Sequence, residues 1–311
     1  MNSIVVVGSV ALDSVKTPEG ESREALGGSA VYFSLAARLF VPVSVVGVVG
    51  KDFPSRYRRM LSERDVDLSG LKETRGKTFR WVGEFGRDLS DAKTIETHLN
   101  VFRTFRPSLN AAHRRSPVVF LANIDPEIQA EVLGQMESPV VAACDTMNYW
   151  IESKPRGLKK LLSRVSIFFA NEEEAKKLTG QSNLFRAAGM ISEWGPAIVV
   201  IKKGEHGAIL KVGRRLFAFP AFPMESVKDP TGAGDSFAGG FMGYLAGTGD
   251  FSDVQNLKRA VLYGSILASF NIEEFSTKNL EKLARAHIEE RLADFSDRLN
   301  VEKDEPFAVS R

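Results

Sequence analysis

The sequence has almost no cysteine and no excess of charge of either sign. Among 311 residues the one cysteine is Cys144, so no disulfide can form within the chain, and no Cys/His grouping has zinc-site spacing. A total of 41 Lys and Arg residues against 39 Asp and Glu residues leaves a net charge of +2. A chain this close to neutral has no global field for nucleic acid or an anionic membrane. We therefore expect neither partner, and any anionic ligand must be bound by local geometry.

Long hydrophobic runs are also missing. The N-terminal segment MNSIVVVGSV contains no basic residue, and its apolar run ends at Gly8, which predicts a core strand and not a signal peptide or a membrane span. The lone cysteine fits a reducing compartment, so we expect a cytoplasmic protein.

Short apolar runs recur along the chain and predict a parallel sheet. They do not alternate with polar residues and are rich in β-branched side chains, which is typical of strands covered on both faces. The runs span residues 4–7, 45–49, 118–122, 140–143, 167–170 and 198–201. Helical patterns span residues 29–40, 54–64, 126–136, 156–163, 172–178 and 183–193. This alternation predicts an α/β fold with a doubly wound, mostly parallel sheet and helices on both faces.

Two segments differ, because they alternate with period two. Residues 78–85 and 94–102 flank the polar stretch GRDLSDAK, which predicts a hairpin with one solvated face. Residues 11–15 predict another strand of the same small sheet. Its apolar face would exclude water from a site, form a homodimer interface, or do both. From residue 235 the pattern is helical almost to the end, with a C-terminal helix from about Lys278.

Several predicted strands end in polar residues. They are Asn123, Asp145, Asn171, and Lys202 with Lys203. In doubly wound sheets, ligands bind beyond the carboxyl ends of the strands. Any one of these residues is explained by an ordinary polar loop, but together they indicate a binding edge.

The densest motif is DPTGAGDSFAGGF, residues 229–241. Gly232 and Gly234 precede a segment predicted to be helical from Asp235, so bare amides and the helix dipole would form an anion site. A carboxylate here would repel an anion unless it has a task, and Asp235 could accept a hydroxyl proton as a general base. The alternative is a helix cap after a glycine turn. The glycine spacing fits neither a Rossmann fingerprint nor a Walker A loop.

Taken in order, these elements resemble the ribokinase-like (PfkB) carbohydrate kinases over almost the full chain. The elements are Asp13 after an early strand, Gly27 and Gly28 at a helix start, Asn171 to Glu174, Lys203-Gly204 with Gly207, and DPTGAGDSFAGG. The resemblance implies a large nucleotide-binding and catalytic α/β domain, residues 1–10, 29–75 and 103–311. It also implies a small β-sheet lid, residues 11–28 and 76–102.

The resemblance also implies roles for individual residues in ATP γ-phosphate transfer to a hydroxyl. Asp235 would be the base, and the amides of Gly232, Ala233 and Gly234 the anion hole. ATP would be bound by Asn171, Lys203, Gly204, Gly207, Thr231, Gly232 and Gly234. The substrate would be bound by Asp13, Gly27, Gly28, Ser29 and Tyr32. Glu174 would organise Mg²⁺ through water, and a monovalent cation near Asp229 and Thr231 occurs in some relatives.

Tyr32 departs from the family pattern. Ribokinase-type members commonly carry asparagine near this position, which argues against ribose itself as the acceptor. Tyr32 either stacks on a base or sugar ring or packs in the core. We expect an ATP- and Mg²⁺-dependent kinase acting on a sugar or cyclitol, with a nucleoside such as adenosine as the alternative. The non-enzyme alternative is a catalytically silent ligand-binding protein of the same fold.

Overall fold

A computed structural model describes residues 2–89 and 92–299. In these ranges the strands are β1 Ile4–Val7, β2 Ala11–Thr17, β3 Gly20–Gly27, β4 Val43–Gly50, β5 Val66–Thr74, β6 Phe79–Phe85, β7 Ala92–His98, β8 Val118–Leu121, β9 Val141–Cys144, β10 Ile167–Asn171, β11 Ile198–Lys202, β12 Ala208–Val212 and β13 Arg215–Phe219. The α-helices are α1 Ser29–Ala37, α2 Ser55–Glu63, α3 Ala111–Arg114, α4 Pro126–Gln135, α5 Asn148–Ser153, α6 Pro155–Leu162, α7 Glu172–Thr179, α8 Leu184–Glu193, α9 Ala233–Thr248, α10 Val254–Asn271 and α11 Arg285–Leu299. Among these described helices, none is both long and apolar enough to cross a membrane.

The main sheet has the predicted doubly wound architecture. Its described strands lie in the order β13-β12-β11-β10-β9-β8-β1-β4-β5. Every neighbouring pair from β11 to β5 is parallel, and β12 and β13 add an antiparallel edge. The carboxyl ends of β8 to β11 therefore lie side by side, and the α/β fold class is confirmed.

Side chains of the interior strand β1 alternate between two apolar layers. On β1, Ile4 and Val6 pack with α1, α9 and α10, while Val5 and Val7 pack with α4, α6 and α8. The absence of polar residues from this strand follows directly, because both faces are covered by helices.

The small sheet contains β2, β3, β6 and β7, in the order β3-β2-β6-β7. One of its faces carries an ion pair between Lys16 and Glu84 and another between Arg80 and Glu24. The other face is turned to the main body, since Thr17 Oγ1 donates a hydrogen bond to the Lys228 carbonyl, at 2.8 Å. The domain boundaries and a homodimer through this sheet stay predictions.

Two strands were missed by the sequence patterns, and both lie at sheet edges. β3, with sequence GESREALG, is mostly exposed, and so is much of β5, with sequence VDLSGLKET. An edge strand with few buried side chains has neither an apolar run nor a clean alternation. The polar segment after Val15 is thus a hairpin, not only a turn.

Other predicted boundaries shift for local reasons. The strand predicted to reach residue 102 ends at His98, because Asn100 takes a left-handed φ of +49° and its side chain binds the Thr78 carbonyl, at 2.9 Å. The C-terminal helix begins at Arg285 and not near Lys278. The preceding chain is held instead by Arg38, which donates to the carbonyls of residues 280 and 283.

We expect Phe120→Ala to reduce the free energy of unfolding by about 3–5 kcal/mol. The Phe120 ring is fully buried on β8 and stacks on Phe33 of α1, with ring centres 4.1 Å apart. Urea denaturation measures the loss. Phe185→Ala is the matched control, because Phe185 is 45% exposed and its truncation should change stability by less than about 0.5 kcal/mol. Equal effects of the two variants would contradict this account of the core.

Candidate active site

The turn before α9 has the backbone shape that the glycine-rich motif requires. Gly232 precedes the helix with a φ of +78°, in the left-handed region. A Cβ on this residue would lie 2.4 Å from Cγ of Tyr32. Glycine is therefore required here for two reasons: the φ angle is left-handed, and the Tyr32 ring leaves no room for a Cβ. The helix begins at Ala233 and not at Asp235 as predicted, which places Asp235 in its first turn.

The backbone amides of this turn are the predicted anion hole. The Ala233 amide donates to the Pro230 carbonyl, at 3.1 Å. Within the part of the chain that the structure describes, the amides of Gly232, Gly234 and Asp235 have no acceptor. Free amides at a helix start, together with the helix dipole, favour an anion. The Ala233 amide could contribute only by sharing its bond to Pro230.

The buried carboxylates of Asp145 and Glu174, the partly exposed carboxylate of Asp235 and the Lys202 ammonium interact beside this turn. Burial raises the pKa of Asp235 to about 6, and the Lys202 ammonium lowers it. Burial raises the pKa of Asp145 well above its ordinary value, the Asp235 carboxylate raises it further, and Lys202 opposes both. Burial raises the pKa of Glu174 to about 7, although the Lys202 ammonium lowers it. Lys202 is thus a counter-charge that all three acids share.

Lys202 and Asp145 were noted as polar strand ends, but sequence reasoning gave them no role. The Lys202 Nζ lies 2.6 Å from where a Cβ on Gly234 would be, so the ammonium contacts the glycine-rich turn. Asp145 is 4% exposed, and its Oδ1 has no hydrogen-bond partner among the described residues. The strand-end rule was the signal that could have assigned both. Asn123, from the same set, instead accepts a hydrogen bond from Trp150 at 3.1 Å.

Asn171 and Glu174 form a capping box at the start of α7. Asn171 Oδ1 accepts from the Glu174 amide at 2.7 Å, and Glu174 Oε2 accepts from the Asn171 amide at 2.6 Å. Their spacing is therefore also a requirement of the helix start. The second oxygen of the Glu174 carboxylate accepts no hydrogen bond from the described residues, so it is available to the site.

These residues fit a divalent cation bound through water. The acids outnumber Lys202, and Asp145 Oδ1 accepts no hydrogen bond from the described residues, so an added cation would stabilise the ionised form of the cluster. Within residues 2–89 and 92–299, no three ligating side chains lie close enough to bind a metal directly. Mg²⁺ usually keeps several waters, which can bridge to carboxylates such as Glu174.

The predicted substrate residues meet where α1 begins. Asp13 is 7% exposed and accepts a hydrogen bond from the Gly28 amide. Burial and then the Asp229 carboxylate raise the pKa of Asp13 to about 7. A Cβ on Gly27 would lie 1.9 Å from Asp13 Oδ2, so the carboxylate occupies the space that a side chain would take. Asp235 also raises the pKa of Asp13, which places both carboxylates in one site.

Tyr32 and Ser29 are buried residues of α1 next to this region. Tyr32 is 2% exposed, and burial raises the pKa of its hydroxyl, which nearby carboxylates including Asp13 raise further. Its ring faces Gly232, so Tyr32 is a core residue that also forms a wall of the site. The Ser29 hydroxyl pairs with the Ser9 hydroxyl at 3.1 Å and ties α1 to the end of β1.

The predicted nucleotide loop joins β11 to β12. The Lys203 amide donates to the Gly207 carbonyl at 2.7 Å, and both Gly204 and Gly207 have positive φ. A Cβ on Gly207 would lie 1.9 Å from the Phe219 carbonyl oxygen, so the loop is tightly closed. It follows Lys202 directly and therefore lies at the same edge of the sheet, where its role in ATP binding stays a prediction.

Comparison with known proteins decides the family. The model of the pfkB family of carbohydrate kinases matches residues 1–283. The chain belongs to the pfkB family. As the family resemblance implied, this pfkB kinase is an ATP-dependent phosphotransferase with a hydroxyl acceptor.

Relatives of this pfkB kinase act on different acceptors. It is 33% identical to a cytidine kinase of Thermococcus kodakarensis over 253 residues, 79% of this chain and 90% of the relative. The crystal structure of a Methanocaldococcus jannaschii nucleoside kinase superposes with a TM-score of 0.77 at 20% identity, covering 94% of this chain and 99% of that one. A Vibrio cholerae fructokinase bound to fructose, ADP and potassium superposes with a TM-score of 0.77 at 18% identity, covering 94% and 98%.

We expect Gly232→Ala to destabilise this pfkB kinase and to abolish most of its activity. The left-handed φ alone costs roughly 1–2 kcal/mol for a residue with a Cβ, and the Tyr32 ring adds a clash. Urea denaturation and ADP release measure the two effects. Gly234→Ala is the matched control for stability, because its Cβ would meet only the flexible end of Lys202. Wild-type stability of Gly232→Ala would contradict this account of the turn.

The pH profile of kcat/KM should report the raised pKa of Asp235. A base must be deprotonated, so activity should be present above about pH 6 and fall as the pH drops through the pKa of about 6. Lys202 lowers this pKa, so Lys202→Met should move the acid limb to higher pH. Lys202→Arg keeps the charge and should leave the limb nearer its original position. An unmoved limb in Lys202→Met would show that Lys202 does not set the pKa of the base.

Proposed function

We propose that this pfkB kinase phosphorylates a ribose hydroxyl of a nucleoside. The observation that carries the proposal is its 33% identity to a cytidine kinase over 90% of that relative's length. Sequence reasoning favoured a sugar or cyclitol and kept a nucleoside as the alternative. The relatives favour that alternative, while the shared family supports the same ATP-dependent chemistry for either acceptor.

The site residues take the following roles in the proposal. Asp13 accepts hydrogen bonds from acceptor hydroxyls, and Asp235 removes the proton from the hydroxyl that attacks the γ-phosphate. The free amides of Gly232 and Gly234 stabilise the charge on the transferred phosphoryl group, where loss of one such donor costs roughly 3 kcal/mol. Lys202 keeps Asp235 ionised. Mg²⁺, when bound through water near Glu174, would screen the phosphate charge.

A monovalent cation near Asp229 and Thr231 is part of the same proposal. Asp229 is 1% exposed and accepts hydrogen bonds from the amides of Thr231 and Ser276, at 2.9 and 3.1 Å. Asn271 donates to the Thr231 carbonyl, and its own Oδ1 has no partner among the described residues. A buried carboxylate with an unpaired amide oxygen nearby is a suitable donor set for such an ion.

A substrate panel tests the acceptor class. Nucleosides, free sugars and cyclitols are each incubated with ATP and Mg²⁺, and ADP release is measured. We expect turnover with nucleosides to exceed that with free sugars. Turnover of a sugar or cyclitol alone would restore the other acceptor class, and ATP binding without turnover of any hydroxyl compound would favour a silent binding protein.

We expect Asp235→Asn to lower kcat by about 100-fold or more while leaving ATP affinity nearly intact, because only the proton acceptor is lost. Steady-state kinetics and ATP titration measure the two quantities. Asp297→Asn is the matched control, since Asp297 is exposed on α11. An unchanged kcat in Asp235→Asn would remove this residue from the mechanism.

A further inference from the structure

Trp81 lies on the face of the small sheet that is turned to the active site. In the parallel pairing of β2 with β6, Asp13 is the register partner of Trp81. Register partners on neighbouring strands point to the same face of a sheet. The face with Asp13 is the body-facing one, since Asp13 interacts with Asp235 and Thr17, on the same face, bonds to the Lys228 carbonyl.

The ring of Trp81 is held flat by its neighbours on the sheet. A Cβ on Gly83 would lie 2.2 Å from Trp81 Cη2, so the indole lies over the bare Cα of that glycine. The indole Nε1 donates to Thr94 Oγ1, at 3.1 Å. One ring face is therefore covered by the sheet, and the hydrogen bond fixes its orientation.

Trp81 is not fully covered by the protein. Trp81 is partly exposed, although Val15, on the neighbouring strand, is 4% exposed. Thr97 of β7, the register partner of Trp81, is exposed on the same face. Neighbouring strands lie about 4.8 Å apart. This spacing is similar to the distance between the ribose ring and the base ring of one nucleoside. A ribose bonded to Asp13 would thus place its base near the indole.

We propose that Trp81 is the stacking platform for the nucleobase of the acceptor and makes the site prefer nucleosides to free sugars. The inference rests on the proposed nucleoside kinase activity. Stacking on an aromatic ring needs only the π-face of a base, so Trp81 favours nucleosides as a class without selecting among bases.

Kinetics of two Trp81 variants test the proposal. Trp81→Leu should raise KM for cytidine about tenfold or more and change kcat much less, because the base is remote from the transferred phosphoryl group. Trp81→Phe keeps an aromatic face and should recover most of the loss. Trp194→Leu is the control, since Trp194 follows α8 and contacts Lys159. Equal KM values for Trp81→Leu and wild type, or no recovery by Trp81→Phe, would overturn the proposal.

Fluorescence gives a readout that does not depend on turnover. The chain has three tryptophans, so replacing Trp150 and Trp194 by phenylalanine leaves Trp81 as the only indole. Cytidine should quench its emission, and ribose should not. Absence of quenching in an enzyme that phosphorylates nucleosides would overturn the role of Trp81 and leave the proposed function intact. Absence of nucleoside turnover in the wild-type panel would instead remove the proposed function.

Discussion

The single ammonium of Lys202 interacts with the carboxylates of Asp145, Glu174 and Asp235, and the proposed active site depends on this imbalance. Three acidic side chains with one nearby ammonium would repel a nucleoside triphosphate if nothing else supplied positive charge. The free amides before α9 and the helix dipole supply part of it, and a hydrated divalent cation would supply the rest. A chain with a net charge of +2 can therefore bind ATP without a basic surface.

The topology of the main sheet makes this cluster possible. β9, β10 and β11 are neighbours and parallel, so the residues at their carboxyl ends meet although they lie far apart in the sequence. The glycine-rich turn reaches the same point because Gly232 has no Cβ to hold it off Tyr32 of α1. A close contact between two helices therefore sets where the free amides lie relative to the acids.

In the proposed site, the small sheet would contribute the acceptor side through the face that bears Asp13. The bare Cα atoms of Gly27 and Gly83 let Asp13 and Trp81 lie flat against it. Glycine has the same use on both sides of the site, since it brings a polar or aromatic group closer to the backbone than any other residue would allow. On the opposite face, the Lys16–Glu84 ion pair is exposed to solvent.

The sequence alone determined the doubly wound sheet, the glycine-rich turn and Asp235, because covered strands require unbroken apolar runs and a bare helix start requires glycine. It could not reveal edge strands β3 and β5, whose side chains are mostly exposed and leave no pattern. It also named Lys202 and Asp145 only as strand ends. Their chemistry arises from burial next to Asp235, and burial depends on which distant segments pack together. Likewise, the period-two pattern placed Trp81 on a strand, but only the register with Asp13 shows which face it shares.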